Sequence, residues 1–118
     1  MQTGQRLNER LDTINVYGPE DTEWYHFVRD HRRYLLRRCQ TRVFTPEALV
    51  KYRYRPQEFV AEVCECPIGM TWIFLFINDL RDPADFNENC TKVKTFTQSL
   101  VSDLYQIYST SANRTRAS

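Results

Sequence analysis

The sequence has little glycine and little histidine, and it lacks any long apolar segment. Its 118 residues include three glycines and two histidines, and the longest uninterrupted apolar run is residues 72–77. Three glycines leave little material for a glycine-rich phosphate loop, and a membrane helix needs about 20 apolar residues. His26 and His31 are not spaced four apart, as two metal ligands on one helix face would be, and no Ser-His-Asp grouping stands out. We therefore expect no catalytic residue, cofactor or metal, and a chain made in the cytoplasm.

The four cysteines do not have the spacing of a structural zinc site. Cys64 and Cys66 form a C-x-C pair, while Cys39 and Cys90 stand alone. A structural zinc site normally uses two chelating pairs, each two to four residues apart. Cys64 is most simply a small buried hydrophobe. Cys66 and Cys90 flank a predicted helix and its following loop, so the sequence leaves open whether they approach each other closely enough for a disulfide.

The net charge of +1 conceals two segments of opposite sign. Residues 29–55 contain nine basic residues against two acidic ones, and residues 56–90 contain seven acidic residues against one basic residue. These charges can cover separate faces and partly pair within the fold, or they can direct head-to-tail contacts between subunits. The basic segment, with its interleaved tyrosines, would also suit phosphates and bases. Because the acidic segment would repel the same ligand, we expect no nucleic-acid partner.

An amphipathic helix is predicted over residues 21–39. The preceding residues 1–20 are polar and end in the turn signal Tyr17-Gly18-Pro19, which indicates an extended arm that needs a partner to order it. Asp21 or Thr22 can cap the helix, and its apolar and long side chains recur at spacings of three and four. The predicted face consists of Trp24, Phe27, Val28, His31, Tyr34, Leu35 and Arg38.

A strand, two helices and a second strand are predicted within residues 49–98. Val50, Tyr52 and Tyr54 alternate with basic residues, which is typical of a half-buried strand with a basic outer face. Pro56 suits the first turn of a helix over residues 56–65. The run 72–77 is rich in β-branched and aromatic residues, which favours a strand. Residues 92–97 have a better strand pattern, so we predict that the run 72–77 is a second helix, capped by Thr71.

A final helix, capped by Thr97 or Ser99, is predicted to end in a polar tail. The predicted organisation is an arm (1–20), an amphipathic helix with its connection (21–48), a core (49–98) and a C-terminal helix with its tail (99–118). The predicted fold class is α+β, a β-α-α-β module with flanking helices.

Residues 52–96 resemble a segment of the baseplate wedge proteins of contractile-tailed bacteriophages. The resemblance lies in RPQEFVAEVCECPIGMTWIFLFINDLRDPADF, where Arg55-Pro56, Trp72, Asn78-Asp79 and Asp82-Pro83 occur in the order typical of that family. The same order is similar to the LysM fold, in which two helices pack on one face of a two-stranded antiparallel sheet. The resemblance supports the helix assigned to residues 72–77.

The resemblance implies a structural role in the virion. The chain would form part of the wedge around the tail hub, in six-fold repeated copies that contact other wedge, hub and tail proteins, with no membrane partner. Aromatic and arginine side chains are enriched at such interfaces. Our candidate interface residues are Trp24, Phe27, His31, Tyr34, Arg37, Arg38, Tyr52 and Tyr54.

The alternative is a LysM-like module that binds peptidoglycan. Such a module would use the groove between its first strand–helix loop and its second helix–strand loop, where amide and hydroxyl groups of a glycan would find hydrogen-bond partners. The candidate groove residues are Arg55, Gln57, Asp82, Asp85 and Asn87.

Overall fold

The computed structural model describes the backbone of residues 22–117 and the side chains of residues 22–110. The predicted arm and the predicted cap at Asp21 lie outside the described residues. The elements are α1 (Thr22–Asp30), α2 (Arg32–Arg38), β1 (Gln40–Val43), α3 (Pro46–Leu49), α4 (Pro56–Glu62), α5 (Thr71–Ile77), β2 (Lys92–Thr95) and α6 (Gln98–Ala117), with 3₁₀ turns at Val50–Tyr52, Ile68–Met70 and Pro83–Asp85. The predicted α+β class is confirmed.

The two strands form an antiparallel sheet, and α3, α4 and α5 lie between them in the sequence. Gln40 lies opposite Thr95, and Val43 lies opposite Lys92. The Phe44 amide donates to the carbonyl of Thr91 at 2.8 Å, which extends the pairing by one step. The predicted order of strand, helices and strand is present, but the first strand begins at Gln40, before the predicted core.

The predicted first strand over residues 50–55 is wrong. Val50–Tyr52 is a 3₁₀ turn, and Tyr54 has a φ of 60°, a left-handed conformation that an extended strand excludes. A 3₁₀ turn places residues i and i+3 on the same side, and accordingly Leu49 and Tyr52 are buried while Val50 is 48% exposed. The alternation of aromatic and basic residues therefore imitates a strand without forming one.

The predicted amphipathic helix is present as two helices that meet at His31. At the break, Nδ1 of the His31 ring lies 2.7 Å from the carbonyl oxygen of Phe27, an acceptor that the His31 amide also uses. The His31 amide is shared between the carbonyls of Phe27 and Val28. Trp24, Val28 and Leu35 are buried on the predicted face.

Helix α5 is the centre of the core and is confirmed as a helix. All of its residues except Phe76 are buried, which explains why its sequence lacks an amphipathic pattern. The predicted cap at Thr71 is wrong: the Ile68–Met70 turn leads into the helix, Met70 is the N-cap, and the Thr71 hydroxyl donates to the Ile68 carbonyl.

An aromatic cluster joins α4 and α5 to the surrounding loops. Phe59 of α4 is fully buried, and its ring centroid lies 5.2 Å from those of Phe74 and Phe86. The rings of Phe44 and Tyr52 are each 5.5 Å away, in edge-on arrangements that aromatic pairs favour. This cluster fixes the loops on either side of α4 against α5.

Helix α6 packs across α1. The Thr97 hydroxyl accepts a hydrogen bond from the Leu100 amide at 3.2 Å, so Thr97 is the predicted cap. Leu100, Val101 and Leu104 are buried, and Tyr105 lies 5.0 Å from Trp24, ring to ring. The helix continues to Ala117, through most of the predicted polar tail.

None of the helices among the described residues has both the length and the apolar character that a membrane span requires.

Candidate protein interface

A stripe of stacked side chains runs along α1 and α2. The rings of Phe27 and His31 are stacked with their centroids 4.0 Å apart, and the guanidinium carbon of Arg38 lies 3.9 Å from the centre of the Tyr34 ring. Residues at these spacings share one helix face. We call Phe27, His31, Tyr34 and Arg38 the docking stripe. Its three aromatic side chains are half-buried and Arg38 is exposed, so the stripe offers both apolar area and charge.

The opposite charges of the sequence are partly paired within the fold. Arg32 contacts Asp79 at 2.9 Å, and Arg53 forms a bidentate ion pair with Glu88. This pair raises the pKa of Arg53 and lowers the pKa of Glu88, in each case chiefly through the hydrogen bond between the two side chains. The acidic segment thus neutralises part of the basic segment, as one of the two charge interpretations predicted.

The arginines near the docking stripe are left out of this pairing. Arg33, Arg37, Arg38 and Arg42 make no ion pair within the described residues, and all four are exposed. Their positive charge is therefore uncompensated on the side of the molecule that carries α2 and β1. Arg42 lies over the Phe44 ring at 5.1 Å, which limits the directions its side chain can take.

A cleft of about 450 Å³ begins where the docking stripe ends. Arg38, Gln40 and Arg42 line one side, and residues 63–65 and 95–97 line the other. Polar and apolar groups share its walls, and it opens next to β1. The cleft and the stripe form one continuous surface because Arg38 belongs to both.

Cys64 lines this cleft and Cys66 is buried two residues further along the chain, and neither thiol has the character of a reactive group. Burial raises the pKa of Cys64 to about 11 and the pKa of Cys66 to about 12, and burial also raises the pKa of Cys39. The Cys66 thiol donates to the Cys64 carbonyl at 3.3 Å. Because the thiolate is the nucleophile, these groups are structural near neutral pH.

Cys66 and Cys90, whose pairing the sequence left open, do not form a disulfide. The Cys90 thiol donates to the Asp85 carbonyl at 3.5 Å, while the Cys66 thiol also lies 3.7 Å from the Phe96 carbonyl. All four cysteines are free thiols. Across residues 22–110, no three His, Cys, Asp or Glu side chains are grouped as metal ligands would be.

Two of the predicted interface residues belong to the core. Trp24 is 3% exposed and Tyr52 is 6% exposed, so neither can contact a partner in this conformation. Trp24 packs against α6, and the Tyr52 hydroxyl donates to Glu62 at 3.1 Å. Tyr54 is 55% exposed, but it lies in the turn before α4 and outside the docking stripe. Arg37 is exposed beside the stripe.

The two loops predicted to form a glycan groove are adjacent, but their carboxylates already have partners. The Tyr54 amide donates to the Phe86 carbonyl at 2.8 Å. Asp82 accepts from the Ala84 amide, and Asp85 accepts from the amides that begin the same turn, at 2.9 and 3.3 Å.

The other groove residues are also engaged or only partly accessible. Arg55 lies 3.8 Å from Glu58, and Asn87 accepts from the Asn89 amide at 2.8 Å. Gln57 is half-buried. The polar groups expected to bind a sugar therefore hold their own loops in shape, which is a structural use of the same residues.

Sequence reasoning missed Gln40 and Arg42 as site residues. The segment 40–43 carries no burial pattern, since all four of its residues are exposed. The available signal was the pair of β-branched residues Thr41 and Val43 on either side of Arg42, which favours a short strand. That signal was weaker than the longer alternation downstream.

Comparison with family models, with characterised protein sequences and with solved structures finds no match to this chain.

Proposed function

We propose that this chain is a structural subunit that works through protein–protein contacts, as a component of the baseplate wedge of a contractile phage tail. The observation that supports a docking role is the continuous surface of the docking stripe, the cleft and the unpaired arginines. Aromatic and arginine side chains of this kind contribute most of the binding energy at protein interfaces. The phage setting is supported by the sequence resemblance over residues 52–96.

Uncompensated arginines also favour a particular kind of partner. Complementary charge increases the rate of association and fixes the orientation of the partners. A neighbour with an acidic patch would bind to the surface formed by α2 and β1, since Arg33, Arg37, Arg38 and Arg42 all lie there. This proposal places the chain in the virion, at the tail, in contact with wedge and hub proteins.

The test compares incorporation of variants into tail particles. Purified tails assembled with Arg37→Glu are expected to contain at least about tenfold less of this chain than wild-type tails, a loss equivalent to about 1.4 kcal/mol of contact energy. Lys51→Glu is the matched control, because it makes the same charge change at an exposed residue on the 3₁₀ turn, away from the stripe. Cross-linking of wild-type tails is expected to join residues 27–38 to other tail proteins.

Two results would contradict the proposal. If purified wild-type tails do not contain this chain, the proposed assembly role is contradicted. Retention of the isolated chain on peptidoglycan, together with an absence of cross-links to tail proteins, would favour the glycan-binding alternative.

A further inference from the structure

One edge of the two-stranded sheet is covered by a side chain. On the outer side of β2, the Lys94 amide donates to Oδ1 of Asn78 at 2.8 Å, and Nδ2 of Asn78 donates to the Lys94 carbonyl at 3.0 Å. The Asn78 amide thus takes the place of a neighbouring strand at this position. Successive residues of an antiparallel strand turn their backbone groups in opposite directions, so the residues on either side of Lys94 turn theirs towards β1.

The outer edge of β1 is open. The Phe44 amide donates to the Thr91 carbonyl, and hydrogen-bonded pairs alternate along an antiparallel ladder, so Arg42 and Gln40 exchange their backbone bonds with β2 while the backbone groups of Thr41 and Val43 turn away from it. Within the described residues, no turn, loop or cap hydrogen bond from outside the sheet reaches the backbone of Thr41 or Val43. The side chains do not cover the edge either, since all four β1 residues are exposed and Val43 is 71% exposed. An open edge of this kind is a template for an added strand.

The charges around this edge define what an added strand must carry. The side chains of Gln40 and Arg42 face the cleft, where Arg38 also lies, and Thr41 and Val43 face the opposite side of the sheet because side chains alternate along a strand. A residue added beside Arg42 would therefore face the cleft and its two arginines. Its immediate neighbours would pack beside Thr41 and Val43.

A second copy of this chain does not fit the edge. Two β1 strands related by a two-fold axis pair in antiparallel fashion. If all the free backbone groups form hydrogen bonds, Thr41 of each copy lies opposite Val43 of the other copy. Arg42 would then lie directly opposite the Arg42 of the other copy. The Cα atoms of such a pair are about 4.5 Å apart, and like charges directly opposite each other destabilise a sheet.

We infer that the open edge of β1 captures an extended segment of a partner protein in which acidic side chains alternate with β-branched apolar ones. The acidic side chains lie beside Arg42 and Arg38, and the apolar ones cover Val43. Backbone hydrogen bonds to Thr41 and Val43 provide the binding contacts, as in other complexes formed by strand addition. The inference deepens the proposed docking role and rests on it for its biological setting.

The test uses the full chain and a synthetic peptide, Thr-Val-Glu-Val-Glu-Val-Thr with blocked ends. Binding is measured by calorimetry at low salt, and amide exchange is followed by NMR. We expect the peptide to bind and to slow the exchange of the Thr41 and Val43 amides. A peptide with lysine in place of each glutamate is the matched control and is expected to bind at least about tenfold more weakly, since opposite charges become like charges.

Two substitutions separate the backbone contact from the charge contact. Val43→Pro removes an amide that has no partner in the fold, and proline is tolerated at an edge position of this kind. It is expected to weaken peptide binding at least about tenfold, whereas Val43→Ile keeps both the amide and an apolar β-branched side chain and is expected to bind as the wild type does. Arg42→Glu is expected to weaken binding by a similar factor, and Lys51→Glu, at an exposed residue on the 3₁₀ turn and outside α2 and β1, is the control for net charge.

The possible outcomes are distinct. Absence of peptide binding, or equal binding of the glutamate and lysine peptides, would overturn the inference. Protection of the Thr41 and Val43 amides in the free monomer would show that another segment of the chain occupies the edge, and a concentration-dependent dimer that Val43→Pro dissolves would show that a second copy does. Failure of the peptide assay with normal incorporation into tails would remove strand capture and leave the proposed function intact.

Discussion

The side chain of Asn78 is expected to contribute more to stability than any other surface amide of the sheet region. Its three hydrogen bonds join the end of α5 to β2: Nδ2 donates to the carbonyls of Phe74 at 2.9 Å and Lys94 at 3.0 Å, and Oδ1 accepts from the Lys94 amide at 2.8 Å. A hydrogen bond contributes about 0.5–1.5 kcal/mol net. We therefore expect Asn78→Ala to lower the free energy of unfolding by about 2–4 kcal/mol.

The measurement is urea denaturation followed by circular dichroism, with Asn87→Ala as the matched control. Asn87 accepts one hydrogen bond, from the Asn89 amide in the same loop, so its removal is expected to cost less than about 1.5 kcal/mol. Equal costs for the two alanine variants would refute the reasoning. Such a result would mean that water replaces the Asn78 amide and that the outer edge of β2 needs no cover.

A second variant tests the donors of Asn78 separately. Asn78→Asp keeps an acceptor for the Lys94 amide but places a carboxylate oxygen against the carbonyls of Phe74 and Lys94. The protonated carboxyl restores one donor, so the pKa of the introduced group should lie above its ordinary value of about 3.9. A raised pKa means that the protonated form is favoured in the folded state. The cost of Asn78→Asp relative to the wild type should therefore shrink as the pH falls through that pKa.

Two further predictions concern the segment after α4. Glu65 has a φ of 55° just beyond the helix, where glycine is usual, so Glu65→Gly should raise the free energy of unfolding by about 0.5–1 kcal/mol while Glu65→Ala should not; equal effects in thermal unfolding would contradict this. Burial raises the pKa of Cys66 from 9.0 to about 12, so the thiol contributes stability below pH 9 that is lost as the pH rises towards 12, and the stability advantage of the wild type over Cys66→Ala should shrink over that range in urea denaturation. A constant difference would be evidence against the buried, protonated thiol.

Local signals in the sequence were enough to determine most of the helices. Pro56 begins α4 and Thr97 caps α6, because a missing amide and a short hydroxyl side chain act within one helical turn. The spacing of Trp24, Val28 and Leu35 identified the buried face of α1 and α2, since the period of a helix fixes which residues share a face. The α+β class followed from these helices and the strand at Lys92–Thr95.

The identity of the first strand depended on tertiary structure. Two segments have sequences compatible with a strand that pairs with β2, residues 40–43 and residues 50–55. The second has the clearer alternation of aromatic and basic residues. The left-handed Tyr54 and the buried pair Leu49 and Tyr52 exclude the second segment. This choice rests on contacts between residues about 50 positions apart in sequence, which no local pattern encodes.

The candidate site was determined in the same divided way. The stripe of Phe27, His31, Tyr34 and Arg38 was readable from helical spacing, because stacking between neighbouring turns is a local contact. The cleft and the open edge were not, since they exist only where β1 packs beside the end of α4 and the start of α6. The sequence by itself therefore determined the helices and the docking stripe. The tertiary structure decided which arginines remain unpaired and which backbone groups remain free, because both depend on partners that folding brings from distant parts of the chain.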